Sequence, residues 1–266
     1  MKIPDINERA RLLLEHRRRG EAIALDANWA APLDMAVAYA IQRVSETLLT
    51  GSHGYRAIGY KIAGTNPAAR APLKIDAPFY GRLYDRMASA APTVLEARPD
   101  FFRVHEAEIA LVMARDLDPD QAPFDAATIK AATHANMPAV EIIGTHFNPW
   151  TQAGAPNLAS DNAAFGHRVF GTAITDWSKL DLMNGEVRLP IDGAPAATGY
   201  GRKVDNEPFG ACAWLANALA AAGCTLKAGE YVTTGSTTPP APVAAGQRVV
   251  ADFGPLGRVE FGIGGA

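Results

Sequence analysis

Arg103-Val104-His105-Glu106-Ala107-Glu108-Ile109-Ala110-Leu111-Val112-Met113 is the stretch on which the reading of this chain turns. Its residues mark a strand, and on a strand successive side chains leave opposite faces. Glu106 and Glu108 therefore share one face, while His105, Ala107, Ile109 and Leu111 point the other way. Two carboxylates on one face beside an apolar run repel each other and lose hydration, which is costly unless a cation or a proton resolves it. By itself an E-x-E strand is more often a solvent-facing stripe. Pro138-Ala139-Val140-Glu141-Ile142-Ile143-Gly144 supplies a third acid, Glu141, as the single charge of another short strand. Glu141 reads either as an edge-strand surface residue or as the third donor of a carboxylate set, the kind that a hard octahedral ion such as Mg²⁺ or Mn²⁺ prefers.

Outward from this stretch, the first fifty residues read as helical. Asp5 to Arg19 is a charged helix ended by Gly20, and a second helix runs from about Pro32 to Thr50 with Gly51 as its cap. Strands are predicted at Tyr55–Ile62, Glu186–Leu189, Glu230–Thr234, Arg248–Phe253 and Arg258–Ile263, besides the two glutamate strands. Gly254-Pro255-Leu256-Gly257 makes the last two a hairpin. Two further helices interrupt the strands. One covers Asp125 to Ala135. The other covers Pro208 to Ala222, with proline at its start and Gly223 at its end, and is apolar nearly all round. The expected architecture is α+β: a helical N-terminal cap over residues 1–54 and a β-rich metal-binding catalytic domain over residues 55–266.

The composition narrows the function classes. The chain has 266 residues with a formal net charge of −3. Basic residues are scattered apart from Arg17-Arg18-Arg19, so no nucleic-acid footprint is expected. The run of arginines reads instead as a solvated helix C-terminus. No stretch of eighteen apolar residues occurs, and the N-terminus turns acidic and polar at once, so neither a membrane span nor a signal peptide is expected. Cys212 and Cys224 have no CxxC spacing, which fits buried thiols in a reducing cytoplasm.

Lys61 stands in an otherwise apolar run, Ala57-Ile58-Gly59-Tyr60-Lys61-Ile62-Ala63. A desolvated lysine lowers its pKa or finds an anion, and the alternative is a lysine snorkelling from a strand end. Ser160-Asp161-Asn162 either caps the segment after it or lines a site. Thr234-Gly235-Ser236-Thr237 is either a plain turn or a set of backbone donors and hydroxyls for a carboxylate. Arg168, Arg202 and Lys203 read as surface cations or as holders of a second substrate carboxylate. His105 faces away from the two glutamates by alternation, and His53, His134, His146 and His167 have no converging spacing.

Several of these segments recur together: Gly59-Tyr60-Lys61-Ile62, Glu106-Ala107-Glu108-Ile109-Ala110, Pro138-Ala139-Val140-Glu141-Ile142 and Ser160-Asp161-Asn162-Ala163. They are followed by Ala213-Trp214-Leu215-Ala216-Asn217, Ala228-Gly229-Glu230, Thr234-Gly235-Ser236 and Ala251-Asp252-Phe253-Gly254-Pro255-Leu256-Gly257. In this order and spacing the chain resembles the 2-oxopent-4-enoate hydratase and 4-oxalocrotonate decarboxylase family of the fumarylacetoacetate hydrolase superfamily, over most of its length. The resemblance implies a β-rich distorted sandwich or roll. It implies one Mg²⁺ (or Mn²⁺) held by Glu106, Glu108 and Glu141, with Lys61 and Asp76 as catalytic groups. Ser160, Asn162, Ser236 and Thr237 are the substrate-binding candidates. The chain departs from the family pattern at Leu73–Gly81, where Asp76 is the only aspartate and Phe79 and Tyr80 fill the place of a second.

The implied activity is that of a cytoplasmic homo-oligomeric lyase acting on a small 2-oxo or 2-hydroxydienoic acid. Hydration to a 4-hydroxy-2-oxo acid comes first. Decarboxylation of a 4-oxalocrotonate-type dicarboxylic acid and C–C hydrolysis of an acylpyruvate are the alternatives, and a non-catalytic binding protein comes last. The decarboxylase substrate carries an extra carboxylate, so Arg168 or Arg202 pointing into the site would favour it.

Overall fold

The computed structural model of the chain describes residues 5–26, 29 and 33–265. Helix α1 (Ile6–Arg19) begins where the Asp5 carboxylate accepts hydrogen bonds from the amides of Asn7 and Glu8, and it stops at Gly20 in the left-handed region. Helix α2 (Met35–Ser52) begins where Asp34 accepts from the Val37 amide. Pro32, its expected start, lies outside the described residues. Gly51 is not the cap but part of the last turn, and the helix ends at His53.

Beyond these helices the described residues form two large sheets, besides a short parallel pairing of Ile23–Ala24 with Phe147–Asn148. The larger has the order β3 (Phe79–Tyr84), β2 (Ala57–Ala63), β12 (Tyr231–Ser236), β6 (Phe102–Met113), β7 (Thr133–Gly144), β9 (Phe165–Phe170), β4 (Ala88–Ala90). The smaller runs β11 (Ala194–Tyr200), β10 (Glu186–Ile191), β14 (Arg248–Asp252), β15 (Arg258–Ile263), β5 (Thr93–Leu95). The β14–β15 pair is the antiparallel hairpin that Gly254–Gly257 predicts. The glutamate strand is the centre of the larger sheet, with β7 antiparallel along its whole length and β12 on its other side.

The larger sheet is curled, and one contact measures the curl. Lys61 on β2 and Glu141 on β7 are separated by β12 and β6, three inter-strand steps or about 14 Å in a flat sheet. Their side chains meet at 3.0 Å. The same closure lets Arg168 on β9 reach Thr233 on β12 at 2.7 Å. This is the roll that the family resemblance implies.

Strand alternation sorts the two surfaces of the roll. Glu106, Glu108 and Glu141 point into the concave side. Ala107, Ile109, Leu111, Val140 and Ile142 leave the convex side and pack with Val187, Leu189, Val249, Val259 and Phe261 of the smaller sheet in the main core. Helix α6 (Glu207–Ala221) adds Cys212, Leu215, Ala216 and Leu219 to that core, as its all-round apolar character requires. His105 joins it too, edge-on to Phe261 at 5.5 Å and within 3.3 Å of Gln247. Helices α1 and α2 bury Ala10, Leu13, Ala38 and Ile41 in a second core with Phe79, Ile143, Phe147 and Leu158. The N-terminal helices therefore cover one end of the roll. No helix among the described residues is long and apolar enough to cross a membrane.

One short segment fixes this end of the roll against the site. After helix α5 (Gly154–Ser160), Asn162, Ala163 and Ala164 all adopt φ of +54°. Three left-handed non-glycine residues in a row cost about 1–2 kcal/mol each. The turn is held because Asn162 clamps β3: its Oδ1 accepts from the Arg82 amide at 2.7 Å and its Nδ2 donates to the Arg82 carbonyl at 2.9 Å. Replacing Asn162 with alanine orphans both backbone groups and removes the clamp. We expect Asn162→Ala to lower stability by about 2–3 kcal/mol, read as a shifted urea midpoint at unchanged slope. A loss below about 0.5 kcal/mol would show that the turn holds itself.

Candidate metal centre and active site

Cross-strand register builds the site. Glu106 on β6 stands directly opposite Glu141 on β7, and Glu141 stands directly opposite Arg168 on β9. Glu108 lies one same-face step along β6 from Glu106. Donor oxygens of the three carboxylates lie within 4.8 Å of one another, and among the described residues this is the sole cluster of three or more histidine, cysteine or acidic groups so placed. Glu108 and Glu141 are wholly buried, while Glu106 is partly open to a cavity.

Two cations answer the three acids. Arg168, itself fully buried, donates from Nη2 to Glu141 at 2.7 Å and lies 3.3 Å from Glu108 through Nη1. Lys61 lies 3.0 Å from Glu141 Oε1 and donates to the Ala163 carbonyl at 2.9 Å. It does not snorkel: it is 1% exposed. The left-handed turn at 162–164 is what aims that carbonyl at it. The Gly235 amide donates to Glu108 at 3.2 Å. Gly235 sits at φ +104°, and a Cβ there would collide with the Thr65 hydroxyl, so only glycine brings this amide to Glu108.

These contacts leave a deficit. Three carboxylates against two cations give a net charge of −1 in a dry site. Burial, reinforced by Glu141, pushes the Glu106 carboxyl up to about 7. Burial likewise pushes Glu108 up to about 8, against the pull of Arg168. Oε1 of Glu108 is buried without a hydrogen-bond partner, and Oε1 of Glu141 meets only the lysine, out of hydrogen-bonding alignment. Two orphaned carboxylate oxygens, with Glu106 converging beside them, fit a hard divalent cation.

Glu106 and Lys61 stand in the wall of a cavity of about 820 Å³. Ser236, Thr65 and Thr238 line it near them. The Thr238 hydroxyl is buried without a partner, and Ser236 donates to the Thr238 carbonyl at 2.5 Å. The remaining candidates fall elsewhere. Thr237 spends its hydroxyl on the Ala107 carbonyl at 2.8 Å, sewing β12 to β6. Ser160 donates to the Asn157 carbonyl at 2.7 Å, and Asn162 is spent on Arg82. Asp76 is exposed in the bend before β3 and is not part of the cavity wall. Of the two residues at the point of departure from the family pattern, Phe79 lines the cavity. Tyr80 turns away to stack on Tyr39 at 4.5 Å. Arg202 and Lys203 are exposed residues in the cavity wall. Arg202 donates to Asn184 at 3.1 Å and lies over the Tyr200 ring.

Arg168 is the residue whose role sequence reasoning missed, and a signal for it existed. It interrupts Phe165-Gly166-His167-Arg168-Val169-Phe170 as Lys61 interrupts its own apolar strand. It points at the carboxylates: Nη2 donates to Glu141 and to Thr233, while Nη1 lies 3.3 Å from Glu108 without a hydrogen bond.

No family model matches the chain. The curated relatives do. It is 32% identical to the TodF product hydratase of Pseudomonas putida F1 over 254 residues, covering 96% of this chain and 93% of that protein. It is 36% identical to the 2-hydroxyhexa-2,4-dienoate hydratase of Comamonas testosteroni over 203 residues, 75% of each. Among solved structures, 4-oxalocrotonate decarboxylase from Pseudomonas putida G7, complexed with magnesium and adipate, superposes with a TM-score of 0.91 at 24% identity over 97% of both chains. The roll and its N-terminal helices are thus a shared fold, and the chain belongs to the 2-keto-4-pentenoate hydratase family of lyases.

Proposed function

We propose that this enzyme adds water to a 2-hydroxy-2,4-dienoate to give a 4-hydroxy-2-oxo acid. The observation that carries this reading is the meeting of a three-carboxylate cation site with a buried ammonium at one end of a largely apolar cavity. The hydratase names of relatives at 32% and 36% identity support hydration over the alternatives. Glu106, Glu108 and Glu141 are the residues that would hold Mg²⁺ or Mn²⁺, which supplies Lewis acidity and a template for the adjacent 1-carboxylate and 2-oxygen.

The chain's own groups do the rest. A site charge of −1 becomes +1 with a divalent ion and neutral with a monoanionic substrate, so substrate binding completes the charge balance. Arg168 acts from behind, holding Glu108 and Glu141 in place. Lys61 has three protons; one is given to Ala163 and one faces Glu141, which leaves the third for the cavity. Lys61 delivers that proton to C5 and takes up the proton that the 2-hydroxyl loses, leaving a 2-oxo-3-enoate and the ammonium restored. Water then adds its hydroxyl to C4 and a proton to C3. Thr238 offers its unpartnered hydroxyl to the substrate's polar end, and Ser236, whose proton goes to the Thr238 carbonyl, can only accept there. Decarboxylation remains a second reading because Arg202 and Lys203 stand in the cavity wall and suit a second carboxylate.

A mass-resolved assay with the Mg²⁺-loaded protein separates these. We expect 2-hydroxypenta-2,4-dienoate to gain one water, and Lys61→Met to lower kcat about a hundredfold or more while the protein stays folded. Loss of carbon dioxide from 4-oxalocrotonate instead would give the second reading its place. Undiminished activity in Glu108→Gln would sink the cation assignment.

The raised carboxyls of Glu106 and Glu108 also link stability to pH. A carboxyl whose folded pKa lies above its unfolded value stabilises the fold at low pH, and that contribution is lost as pH rises through the folded pKa. In chelator, Tm should therefore fall between about pH 5 and pH 8. Protons and cation compete for the same oxygens, so the rise in Tm on adding Mg²⁺ should be larger at pH 8 than at pH 5.5. An increment independent of pH would count against these ligands.

A further inference from the structure

The strand register that assembles the carboxylates also dictates what lies beside them. Moving two residues along each strand in one spatial direction takes Lys61 to Ala63 on β2, Glu106 to Val104 on β6 and Glu141 to Ile143 on β7. The direction is common because β2 runs parallel to β12, β12 antiparallel to β6, and β6 antiparallel to β7. A two-residue step keeps the same face and moves about 6.6 Å. The charged row is therefore followed by an apolar row on the same concave wall. Val104 stands directly opposite Ile143, and Phe79 of β3 stands opposite Ala63. Leu158, Leu73 and Trp150 close in behind them, and all belong to or pack against the same apolar cluster.

The size of this space exceeds what the minimal substrate needs. A five-carbon dienoate has eight non-hydrogen atoms and displaces on the order of 150–200 Å³, at roughly 30 Å³ for each displaced water. The cavity holds about 820 Å³. Among the described residues, its far wall offers neither buried polar groups in want of a partner nor an enclosed charge. Arg202 and Lys203 are exposed, and Arg202 is already held by Asn184 and Tyr200. With its C1–C2 end at the carboxylates, an extended dienoate lying along the strands would set its C5 end on the Val104–Ile143 row.

We propose that the true substrate is a 2-hydroxy-2,4-dienoate carrying a sizeable apolar substituent beyond C5, an alkyl chain of several carbons or an aryl group, seated on Val104, Ile143, Phe79, Leu158, Leu73 and Trp150. This rests on the hydratase reading of the same site and narrows it.

The test measures binding apart from turnover. Titration calorimetry on the Mg²⁺-loaded protein compares three saturated 2-oxo acids: 2-oxopentanoate, 2-oxodecanoate and 2-oxohexanedioate. We expect 2-oxodecanoate to bind at least tenfold more tightly than 2-oxopentanoate, since the apolar wall is read only by the tail. Leu73→Trp, which fills the far end, should shrink that ratio about tenfold. Equal affinity for the two monocarboxylates overturns the proposal. Tightest binding of 2-oxohexanedioate also overturns it and assigns the far end to Arg202 and Lys203. Absence of water addition to any dienoate, with the ladder of affinities intact, would remove the hydratase reading and leave the tail site standing.

Discussion

Like charges that face each other across a strand pair can be buried only where opposite charge meets them, and Glu106 faces Glu141 in the middle of the larger sheet. Every other feature around the site answers that constraint. The sheet curls far enough to bring Lys61 across two strands to Glu141. Arg168 is drawn fully out of solvent to bind two of the carboxylates. Glycine occupies position 235 so that a backbone amide can reach Glu108. Such an arrangement is a poor source of stability, because desolvating the ions costs about as much as their attraction returns. It is a good way to hold a cation site open with its donors fixed.

The same strands that concentrate charge also end it abruptly. Along β6 and β7 the concave face passes in one same-face step from Glu106 and Glu141 to Val104 and Ile143. A ligand lying along the strands therefore meets a polar head site and an apolar run in a fixed order and spacing. The charged row and the apolar row are set apart by one same-face step along paired strands. The left-handed turn at 162–164 belongs to both halves. Its Ala163 carbonyl accepts a hydrogen bond from Lys61, while Ala163 and Ala164 join the apolar cluster.

What could be read from the chain alone followed the strength of the local pattern. The E-x-E strand and the isolated Glu141 announced themselves through alternation, and Lys61 through its apolar neighbours. The family resemblance then joined residues that no local pattern could bring together. Strands β3, β9 and β11 lack a clear alternation, so Arg168 stood out as a candidate substrate-holding cation but not as a partner of the glutamates. The helix expected over Asp125–Ala135 stops at Ala131, because from Thr133 the chain pairs with β6 and tertiary pairing overrides the helix preference of alanine. Ser160 and Asn162 looked like ligand-binding groups because a backbone clamp uses the same side chains as a binding site. Thr237 and Thr238 are adjacent, yet strand geometry sends the first hydroxyl to the Ala107 carbonyl and leaves the second in the cavity wall.

The closure of the roll also orders events in time. Lys61 becomes part of the wall only when β2 has found β12, and the register sets Lys61 beside Thr233, close to the far end of the chain. A polypeptide emerging from the ribosome can pair β6 with β7 early, since these strands follow one another. The face-to-face glutamates are then formed without their lysine. Until residues 231–236 are made, that hairpin carries its unbalanced charge in water. The centre is therefore among the last parts of the molecule to exist, and a truncated or nicked chain that retains all three glutamates still lacks it.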